Sequence, residues 1–343
     1  MILFQSDYQE GADAAVLEAL QKANALQAPG YGDDALTQEV KDQIRTLCKA
    51  PQADVHFFVG GTQANLTIIA AALHPFEGVI SSDLGHINTH ETGAVEATGH
   101  KVLTLKSAQG KITAEQIRRA FEAHVNDVNH EHIVRPAMIY LSHPTELGTL
   151  YTRTEIDAIH AAAIACDLKL FIDGARLAYG IAADETVGLP YLASVCDAFT
   201  IGGTKCGALF GEAAVLKNAA DWPHFRYHIK QRGALLAKGR ILALQFRALL
   251  SDNRYATLGR EANQKAQRVK QALLNKGYAL LNDTQTNQIF PILPNGALHQ
   301  LRREFAFAFW EAVDPERTAI RICAGVTTPD ENVTALLRAI EAL

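Results

Sequence analysis

Short apolar segments alternate with amphipathic stretches over the first two-thirds of the chain. Seven segments are typical of buried strands: 55–59, 79–81, 102–105, 137–142, 168–173, 198–201 and 213–216. Between two of them, Ile156, Ile159 and Ala163 follow a helical period, and Thr152 with Glu155 forms a capping box at the start of that helix. Strands alternating with helices predict an α/β fold whose mostly parallel sheet is covered on both faces.

The pattern changes after about residue 217. A segment rich in basic residues precedes a helical stretch to Gly277, and two further strand candidates follow at 288–292 and 318–323. The last helix is expected to open with Thr328 as its N-cap and Pro329 in its first turn. We therefore predict a large domain over residues 1–240, including the N-terminal segment, and a small C-terminal α+β domain over residues 241–343.

Composition excludes several classes of function. With 343 residues, of which 48% are hydrophobic, the chain can bury a large core. Its 32 basic and 37 acidic residues nearly balance, so we expect no nucleic-acid partner. No apolar run approaches the ~18 residues of a membrane span, and the N-terminus lacks a signal-peptide pattern. The five cysteines form no C-x-x-C pair, so we expect no metal site and a cytoplasmic protein with reduced thiols.

Two polar residues follow strand candidates, at the edge of the sheet where ligands bind in parallel α/β folds. Asp173 begins the sequence Asp-Gly-Ala-Arg, and Lys205 follows the turn Gly-Gly-Thr. Pyridoxal 5'-phosphate (PLP) requires a lysine amine for its covalent bond and a carboxylate that keeps its ring nitrogen protonated. Taken singly, each residue is more typical of a helix cap or a solvated loop.

A third element predicts where a phosphate would bind. Gly60, Gly61 and Thr62 form a turn between a strand candidate and a helical pattern over 63–73. The free N–H groups and the dipole of a helix N-terminus favour an anion, and the glycines permit close approach. The turn is neither a G-x-G-x-x-G motif nor a P-loop, which argues against a nicotinamide enzyme. A phosphate turn, an acid and a lysine in this order predict a PLP site.

These segments resemble the threonine aldolase and β-eliminating lyase branch of the fold-type-I PLP enzymes. The resemblance spans Ser6 to Arg321 and is carried mainly by Tyr-Gly-Asp-Asp at 31–34 and Gly-Thr-Gln-Ala-Asn at 61–65. It implies a fold-type-I PLP-transferase-like fold. It also implies an aldehyde-lyase that splits a β-hydroxy-α-amino acid (L-threonine, L-allo-threonine or phenylserine) into glycine and an aldehyde. The alternatives are a PLP-dependent β-eliminating lyase, an aminotransferase, or a PLP-binding protein without turnover.

The resemblance assigns roles residue by residue. Those expected to bind the cofactor are Gly61, Thr62, His86, Asp173, Arg176, Thr204 and Lys205. Those expected to act in catalysis are Lys205, His86, Glu91, Glu146 and Asp173. Those expected to bind the substrate carboxylate are Ser6, Arg176 and Arg321. Without the resemblance, His86 is more typical of a surface loop and Glu91 of a helix N-terminus. Arg321 on its predicted strand faces either a bound anion or solvent.

The chain departs from the family at one position. Many threonine aldolases have the run Asn-Thr-His-Asn-Gly after the central strand, with its histidine facing the substrate hydroxyl. Aligned on Thr145 and Gly148, that histidine position is Glu146 here, and His143 lies three residues earlier. The Thr-Glu-x-Gly form resembles the phenylserine aldolase side of the family. Which of Glu146, Glu91 and His86 is the base stays open.

The basic segment 226–240 has two interpretations. It is either a solvated helix face or, as the resemblance implies, a region that helps to bind the phosphate, partly from a neighbouring subunit. The Tyr-Gly-Asp-Asp loop is similarly implied to lie near a subunit boundary. We therefore expect a homodimer or homotetramer with shared active sites.

Overall fold

The computed structural model describes residues 1–343 and contains three sheets. The strands are β1 (Ile2–Leu3), β2 (Asp54–Phe58), β3 (Glu77–Ser82), β4 (Lys101–Leu105), β5 (Arg135–Ser142), β6 (Lys169–Asp173), β7 (Ala198–Gly202), β8 (Glu212–Leu216), β9 (Ala279–Leu280), β10 (Gln288–Ile289), β11 (Pro291–Pro294), β12 (Phe305–Ala306), β13 (Ala308–Ala312) and β14 (Arg317–Cys323).

The α-helices cover both faces of the largest sheet and one side of the smaller C-terminal one. They are α1 (Ala14–Ala23), α2 (Ala35–Leu47), α3 (Gly61–Ala72), α4 (His86–Thr89), α5 (Ala114–Val125), α6 (Arg153–Ala165), α7 (Leu177–Ala183), α8 (Leu189–Val195), α9 (Phe225–Gln231), α10 (Arg240–Leu250), α11 (Arg254–Asn275), α12 (Asn295–Leu301) and α13 (Asp330–Glu341).

The largest sheet has the order β2-β8-β7-β6-β5-β3-β4. Every neighbouring pair is parallel except the two that β8 makes with β2 and β7. All seven strand candidates from the sequence are strands of this sheet, so the mostly parallel α/β fold is confirmed. The capping box of Thr152 and Glu155 at the start of α6 is also confirmed.

Both faces of this sheet are buried, which explains why its strands are continuous apolar runs rather than alternating ones. Along β5, Ile139 and Leu141 pack on one face, whereas Met138 and Tyr140 pack on the other. The first face meets α1, α2, α6, α8 and α10 in one core, and the second meets α3 and α9 in another. Sequence periodicity of two residues therefore divides the large core into two layers.

The C-terminal sheet is antiparallel and built around β14. The strand predicted over 288–292 is interrupted. Its two halves, β10 and β11, pair with β14 in one continuous register, with Ile289 opposite Ile322 and Ile292 opposite Ala319. The break falls before Pro291, which has no N–H to donate to the ladder.

The start of the last helix differs from the expectation. Helix α13 begins at Asp330, its N-cap position is Pro329, and no side chain caps it. The predicted N-cap Thr328 instead accepts a hydrogen bond from the backbone N–H of Gly325 at 2.8 Å. The hydroxyl is therefore used to close the preceding turn, and the prediction of Thr328 as the N-cap is wrong.

The two parts of the chain are joined by shared elements. Helix α11 packs against α7 on one side and α13 on the other. The core of the large sheet includes Ala262 and Val326, and β1 pairs with β12 of the C-terminal part. A domain division at residue 240 stays a prediction.

Asp7 is the polar centre of this junction. Its buried carboxylate accepts hydrogen bonds from Arg176 Nε at 2.7 Å and Nη2 at 3.0 Å, and from Asn287 Nδ2 at 2.9 Å. Burial alone would raise the pKa of Asp7, but the charge and hydrogen bonds of Arg176 outweigh it and lower the pKa. The N-terminal segment, the large sheet and the C-terminal part therefore meet at one buried ion pair.

Asp7→Asn should destabilise the fold by about 3–5 kcal/mol, because it leaves the buried Arg176 without its counter-charge. Urea unfolding at pH 7 measures the loss. Since the folded-state pKa of Asp7 is lowered, its contribution is complete above the unfolded-state value of about 4 and disappears as the pH falls through the folded-state value. Glu115→Gln removes an exposed pair with Arg119 and should cost much less; equal losses would contradict the assignment.

Candidate active site

A cavity opens where the carboxyl ends of β2, β5, β6 and β7 meet the start of β8. The register places Ser142 opposite Asp173, and Glu212 opposite both Phe58 and Gly202. This first chamber has a volume of about 270 Å³. Its polar and small lining residues are Tyr8, Gly60, Gly61, Thr62, His86, Ser142, Glu146, Asp173, Ala175, Arg176, Thr204, Lys205 and Glu212.

A second chamber of about 310 Å³ adjoins the first. It adds His90, Trp310 and Arg321 to five residues that line both chambers, namely Tyr8, His86, Glu146, Arg176 and Lys205. The two chambers are therefore parts of one site, and nearly all the residues predicted from the sequence are brought together there.

Asp173 is a buried, ionised carboxylate that can pair with a cationic group. Its Oδ2 accepts hydrogen bonds from Tyr140 at 2.7 Å and Asn65 at 2.8 Å, and its Oδ1 accepts one from the N–H of Ala175 at 2.9 Å. Burial alone would raise the pKa of Asp173, but the hydrogen bond from Tyr140 and the nearby His86 outweigh it and lower the pKa. The carboxylate stays ionised although it is only 5% exposed.

The predicted phosphate turn is present and open. Gly60 is the N-cap of α3, and the helix begins at Gly61. A Cβ placed on either glycine would meet no atom within 4 Å, so there is space for an anion in front of the free N–H groups. Gln63 holds the turn from behind, because its side chain accepts from the N–H of Val59 at 3.2 Å.

Lys205 follows β7 in the tight connection to β8. A Cβ on Gly203 would lie 2.6 Å from the carbonyl oxygen of Gly211, so only glycine permits this turn. Thr204 fixes the loop by accepting a hydrogen bond from the N–H of Gly211 at 3.0 Å. The Lys205 amine has no ion-pair or hydrogen-bond partner of its own and lines both chambers. It is free to react.

His86 is oriented by a buried acid. Its Nδ1 lies 2.7 Å from Oε1 of Glu91, which also accepts a hydrogen bond from Asn65 at 2.8 Å. Because a carboxylate can only accept, the His86 Nδ1 carries a hydrogen towards Glu91. Asn65 donates to both Glu91 and Asp173, so it couples the two acids predicted from the sequence.

Glu146 lies between His86 and the end of β5. Its Oε1 accepts hydrogen bonds from Ser142 Oγ at 2.5 Å and from the backbone N–H of His86 at 2.8 Å. Burial raises the pKa of Glu146, and nearby Asp173 adds to this, against the opposing effect of the Ser142 hydrogen bond. His143 packs deeper, beside Gly180, and lines neither chamber.

Of the three residues predicted to bind the substrate carboxylate, two line the site and one does not. Arg321 lines the second chamber, donates through Nη2 to the carbonyl of Gln5 at 3.0 Å, and has a buried Nε without a partner. Arg176 lines both chambers, although it also holds Asp7. Ser6 is buried, accepts a hydrogen bond from Gln9 at 2.7 Å and lines neither chamber. Its role stays a prediction.

The basic segment lies behind the phosphate turn. Arg232 accepts a hydrogen bond from Gln63 through its carbonyl at 3.0 Å, while Arg226 donates to Asp33 at 3.0 Å. Lys230 lies 4.8 Å from the ring centre of Tyr31. None of the basic side chains of 226–240 lines the first chamber of this chain. A contribution across a subunit boundary, and the homodimer or homotetramer it implies, stay predictions.

Sequence reasoning did not find every residue of the site. Tyr140 and Glu212 lie on strands that are mostly apolar, and Trp310 lies on β13, which was not predicted. Asn65 was matched as part of a motif without a role. A buried polar residue one or two positions before the end of a predicted strand was the available signal for Tyr140.

Comparison with known proteins decides the family. A sequence model of the β-eliminating lyase family matches residues 4–294. The chain belongs to the β-eliminating lyase family. A low specificity L-threonine aldolase of a Pseudomonas species is 31% identical over 306 residues, which cover 88% of this chain and 87% of that protein.

Solved structures agree with this family and confirm the fold. A threonine aldolase of Leishmania major superposes with a TM-score of 0.96 at 39% identity, covering 100% of this chain and 99% of that one. An aspartate aminotransferase of Thermus thermophilus, at 15% identity and a TM-score of 0.71, covers 100% and 96% and shares the fold alone. The fold is that of the fold-type-I PLP enzymes, and the chain is a PLP-dependent lyase.

The residues present fit this cofactor. The open turn at Gly60 and Gly61 suits its phosphate, the ionised Asp173 suits a protonated ring nitrogen, and the unpartnered Lys205 amine suits its aldehyde. No helix of the chain is both long enough and apolar enough to cross a membrane. The cytoplasmic location stays a prediction.

Borohydride reduction of the cofactor-loaded protein, followed by peptide mapping, should place the label on Lys205. The reason is that Lys205 is the lysine lining both chambers. Lys205→Arg keeps the positive charge and should give a folded protein without label. A label on Lys230 or Lys238 would contradict the assignment.

Proposed function

We propose that this lyase is a threonine aldolase, which cleaves a β-hydroxy-α-amino acid between Cα and Cβ into glycine and an aldehyde. The observation that carries the proposal is Glu146, a second proton-accepting group in the chamber of Lys205. Transfer of an α-proton needs an acceptor at Cα. Retro-aldol cleavage leaves the α-hydrogen in place and instead needs an acceptor for the proton of the β-hydroxyl. The names of the relatives support the same reaction.

The chain's own residues position the substrate and stabilise charge. When bound, PLP draws electrons from the bonds at the substrate's α-carbon. Asp173 holds the proton on the ring nitrogen, and its fixed charge needs no reorganisation during the reaction. Arg321, with its free Nε, binds the substrate carboxylate together with Arg176, so the Cα–Cβ bond is held in one orientation.

Glu146 accepts the proton of the β-hydroxyl while the Cα–Cβ bond breaks. An ordinary carboxylate is a weak base at pH 7, and the burial that raises the pKa of Glu146 makes it a stronger one. Such a base contributes about 10²–10⁴-fold to the rate. His86 lies beside it, with its backbone N–H bound to the same carboxyl oxygen.

Glu146→Gln should lower the cleavage of β-hydroxy amino acids by about 10²–10⁴-fold and should affect the exchange of glycine's α-proton far less. The exchange reaction involves no hydroxyl, so it does not need this base. Cleavage is measured by aldehyde release and exchange by deuterium incorporation into glycine. In the wild type, kcat/KM for cleavage should rise with pH through the raised pKa of Glu146, because the base must be ionised.

The matched comparison is Ser142→Ala, which removes one hydrogen bond to Glu146 but leaves the carboxyl in place. It should move the pH profile to higher pH and keep most of the activity at high pH. Equal losses of cleavage and exchange in Glu146→Gln would give Glu146 a structural role. Glu91 or His86 would then be the base.

A panel of β-hydroxy-α-amino acids tests the reaction class. Glycine and the aldehyde should form in equal amounts. β-Elimination would instead release ammonia and a keto acid, and transamination would consume a second keto acid. Either set of products without glycine would contradict the proposed function.

The second chamber favours an aromatic β-substituent, as in phenylserine. Trp310 packs edge-on against Phe290 at 4.8 Å between ring centres, and the ring of His90 lies 5.7 Å from that of His86. Burial and the charge of His86 lower the pKa of His90, which keeps its ring neutral. A methyl group would leave much of the roughly 310 Å³ chamber unfilled, whereas a phenyl ring would fill more of it beside Trp310 and His90.

Trp310→Ala should lower kcat/KM for phenylserine about 2- to 10-fold more than for threonine, the size of one aromatic contact. Steady-state kinetics on both substrates measures the ratio. Phe309→Ala is the matched control, because Phe309 precedes Trp310 on β13 but is 62% exposed and lines neither chamber. The same change of ratio in both variants would remove Trp310 from substrate recognition.

A further inference from the structure

Glu212 is a buried carboxyl that the proposed mechanism does not use. It is the first residue of β8, lies opposite Phe58 and Gly202, and is 2% exposed. The chain leaves Phe58 towards the phosphate turn and Gly202 towards Lys205. Glu212 therefore lines the first chamber between the phosphate turn at Gly60–Thr62 and the loop that carries Lys205.

The carboxyl of Glu212 is only partly compensated. Its Oε2 is buried and has no hydrogen-bond partner. Burial raises the pKa of Glu212 well above its ordinary value and outweighs the opposing charge of Lys205 and the hydrogen bonds of Thr204 and the Gly203 N–H. Asp173, in the same chamber, receives three hydrogen bonds and stays ionised. A buried charge with an unpartnered oxygen is expensive, so Glu212 is a neutral acid with a proton to donate.

Groups on the neighbouring elements act on the ionisation of Glu212 in opposite directions. From the lysine loop, Lys205 favours the ionised form, and from β6, Asp173 opposes it. Cys206 on the same loop and Tyr255 on α11 are uncharged, since burial raises the pKa of Cys206 to about 12 and that of Tyr255 well above 10. On β2, Phe57 and Phe58 next to Glu212 carry no charge, and the first turn of α3 carries none either. Asp54 and His56 lie further along β2, opposite Leu216 and Ala214, and are 2.7 Å apart, so they pair with each other.

We propose that Glu212 is a phosphate ligand, which donates its carboxyl O–H to the cofactor's phosphate. An ionised carboxylate would repel a phosphate dianion at the helix N-terminus, whereas a shared proton gives a short, charge-assisted hydrogen bond. The assignment rests on the placement of the phosphate at Gly61 and Thr62. It makes cofactor binding dependent on one proton, so affinity falls as the pH rises and Glu212 ionises.

The test uses pyridoxine 5'-phosphate and pyridoxine, which lack the aldehyde and cannot react with Lys205. Dissociation constants of both are measured by calorimetry on cofactor-free protein between pH 7 and 9.5. Over this range the free phosphate is already a dianion, because its second pKa is about 6. The ratio of the two constants isolates the phosphate's contribution from all effects on the ring.

In the wild type, pyridoxine 5'-phosphate should bind more tightly than pyridoxine. The factor between their dissociation constants should shrink as the pH rises, by up to about tenfold per pH unit. Glu212→Gln keeps a donor that cannot ionise, so its ratio should stay flat and favour the phosphate at pH 9.5 more than the wild type does. Glu212→Ala should weaken phosphate binding at pH 7 and also be flat. Glu146→Gln, a second buried acid of the chamber, should keep the wild-type slope.

A flat ratio in the wild type, or an unchanged slope in Glu212→Gln, would overturn the proposal. Thermal unfolding of each variant establishes that it is folded at the pH of the measurement. The outcome is independent of the reaction class, because neither probe turns over. Failure of the aldolase assay would leave this test intact, and a negative result here would leave the aldolase assay intact.

Discussion

The site depends on one buried anion, the carboxylate of Asp173. Tyr140, Asn65 and the backbone of Ala175 each donate to it, and these donors come from a strand, a helix and the turn that follows β6. Removing such an anion from water is costly, so its position is defined by these donors. Through Asn65 the same network reaches Glu91, which sets the orientation of His86. The need to stabilise this one buried charge thus fixes the positions of the side chains at the bottom of the active site.

The first chamber holds three carboxyls whose protonation differs because their surroundings differ. Asp173 has donors and stays ionised, Glu146 is shifted upwards by burial with two donors opposing the shift, and Glu212 has burial without an ion-pair partner. Burial, neighbouring charges and hydrogen-bond donors, rather than residue type, set the direction in which each pKa moves. In the roles proposed above, one pocket serves the ring, the substrate and the phosphate separately.

Much of this arrangement follows from local sequence. Apolar runs fixed the seven strands of the large sheet, and residues at their ends, such as Asp173 and Lys205, were predicted to meet because parallel strands end at the same edge. Glu212 and Trp310 were missed because their places depend on partners distant in sequence, Phe58 and Phe290. Thr328 was misassigned because one hydroxyl suits either a helix start or a turn, and only tertiary packing selects between them.

The pairing of β1 with β12 has a consequence for how the molecule is made. Ile2 lies opposite Phe305, so β1 leaves the ribosome some three hundred residues before its partner strand. Asp7, five positions on, is the counter-ion of Arg176 and also contacts Asn287. Contacts of such long separation form late, since loop closure must precede them. During synthesis the nascent chain therefore carries an unfinished substrate site, which closes only when the C-terminal sheet arrives.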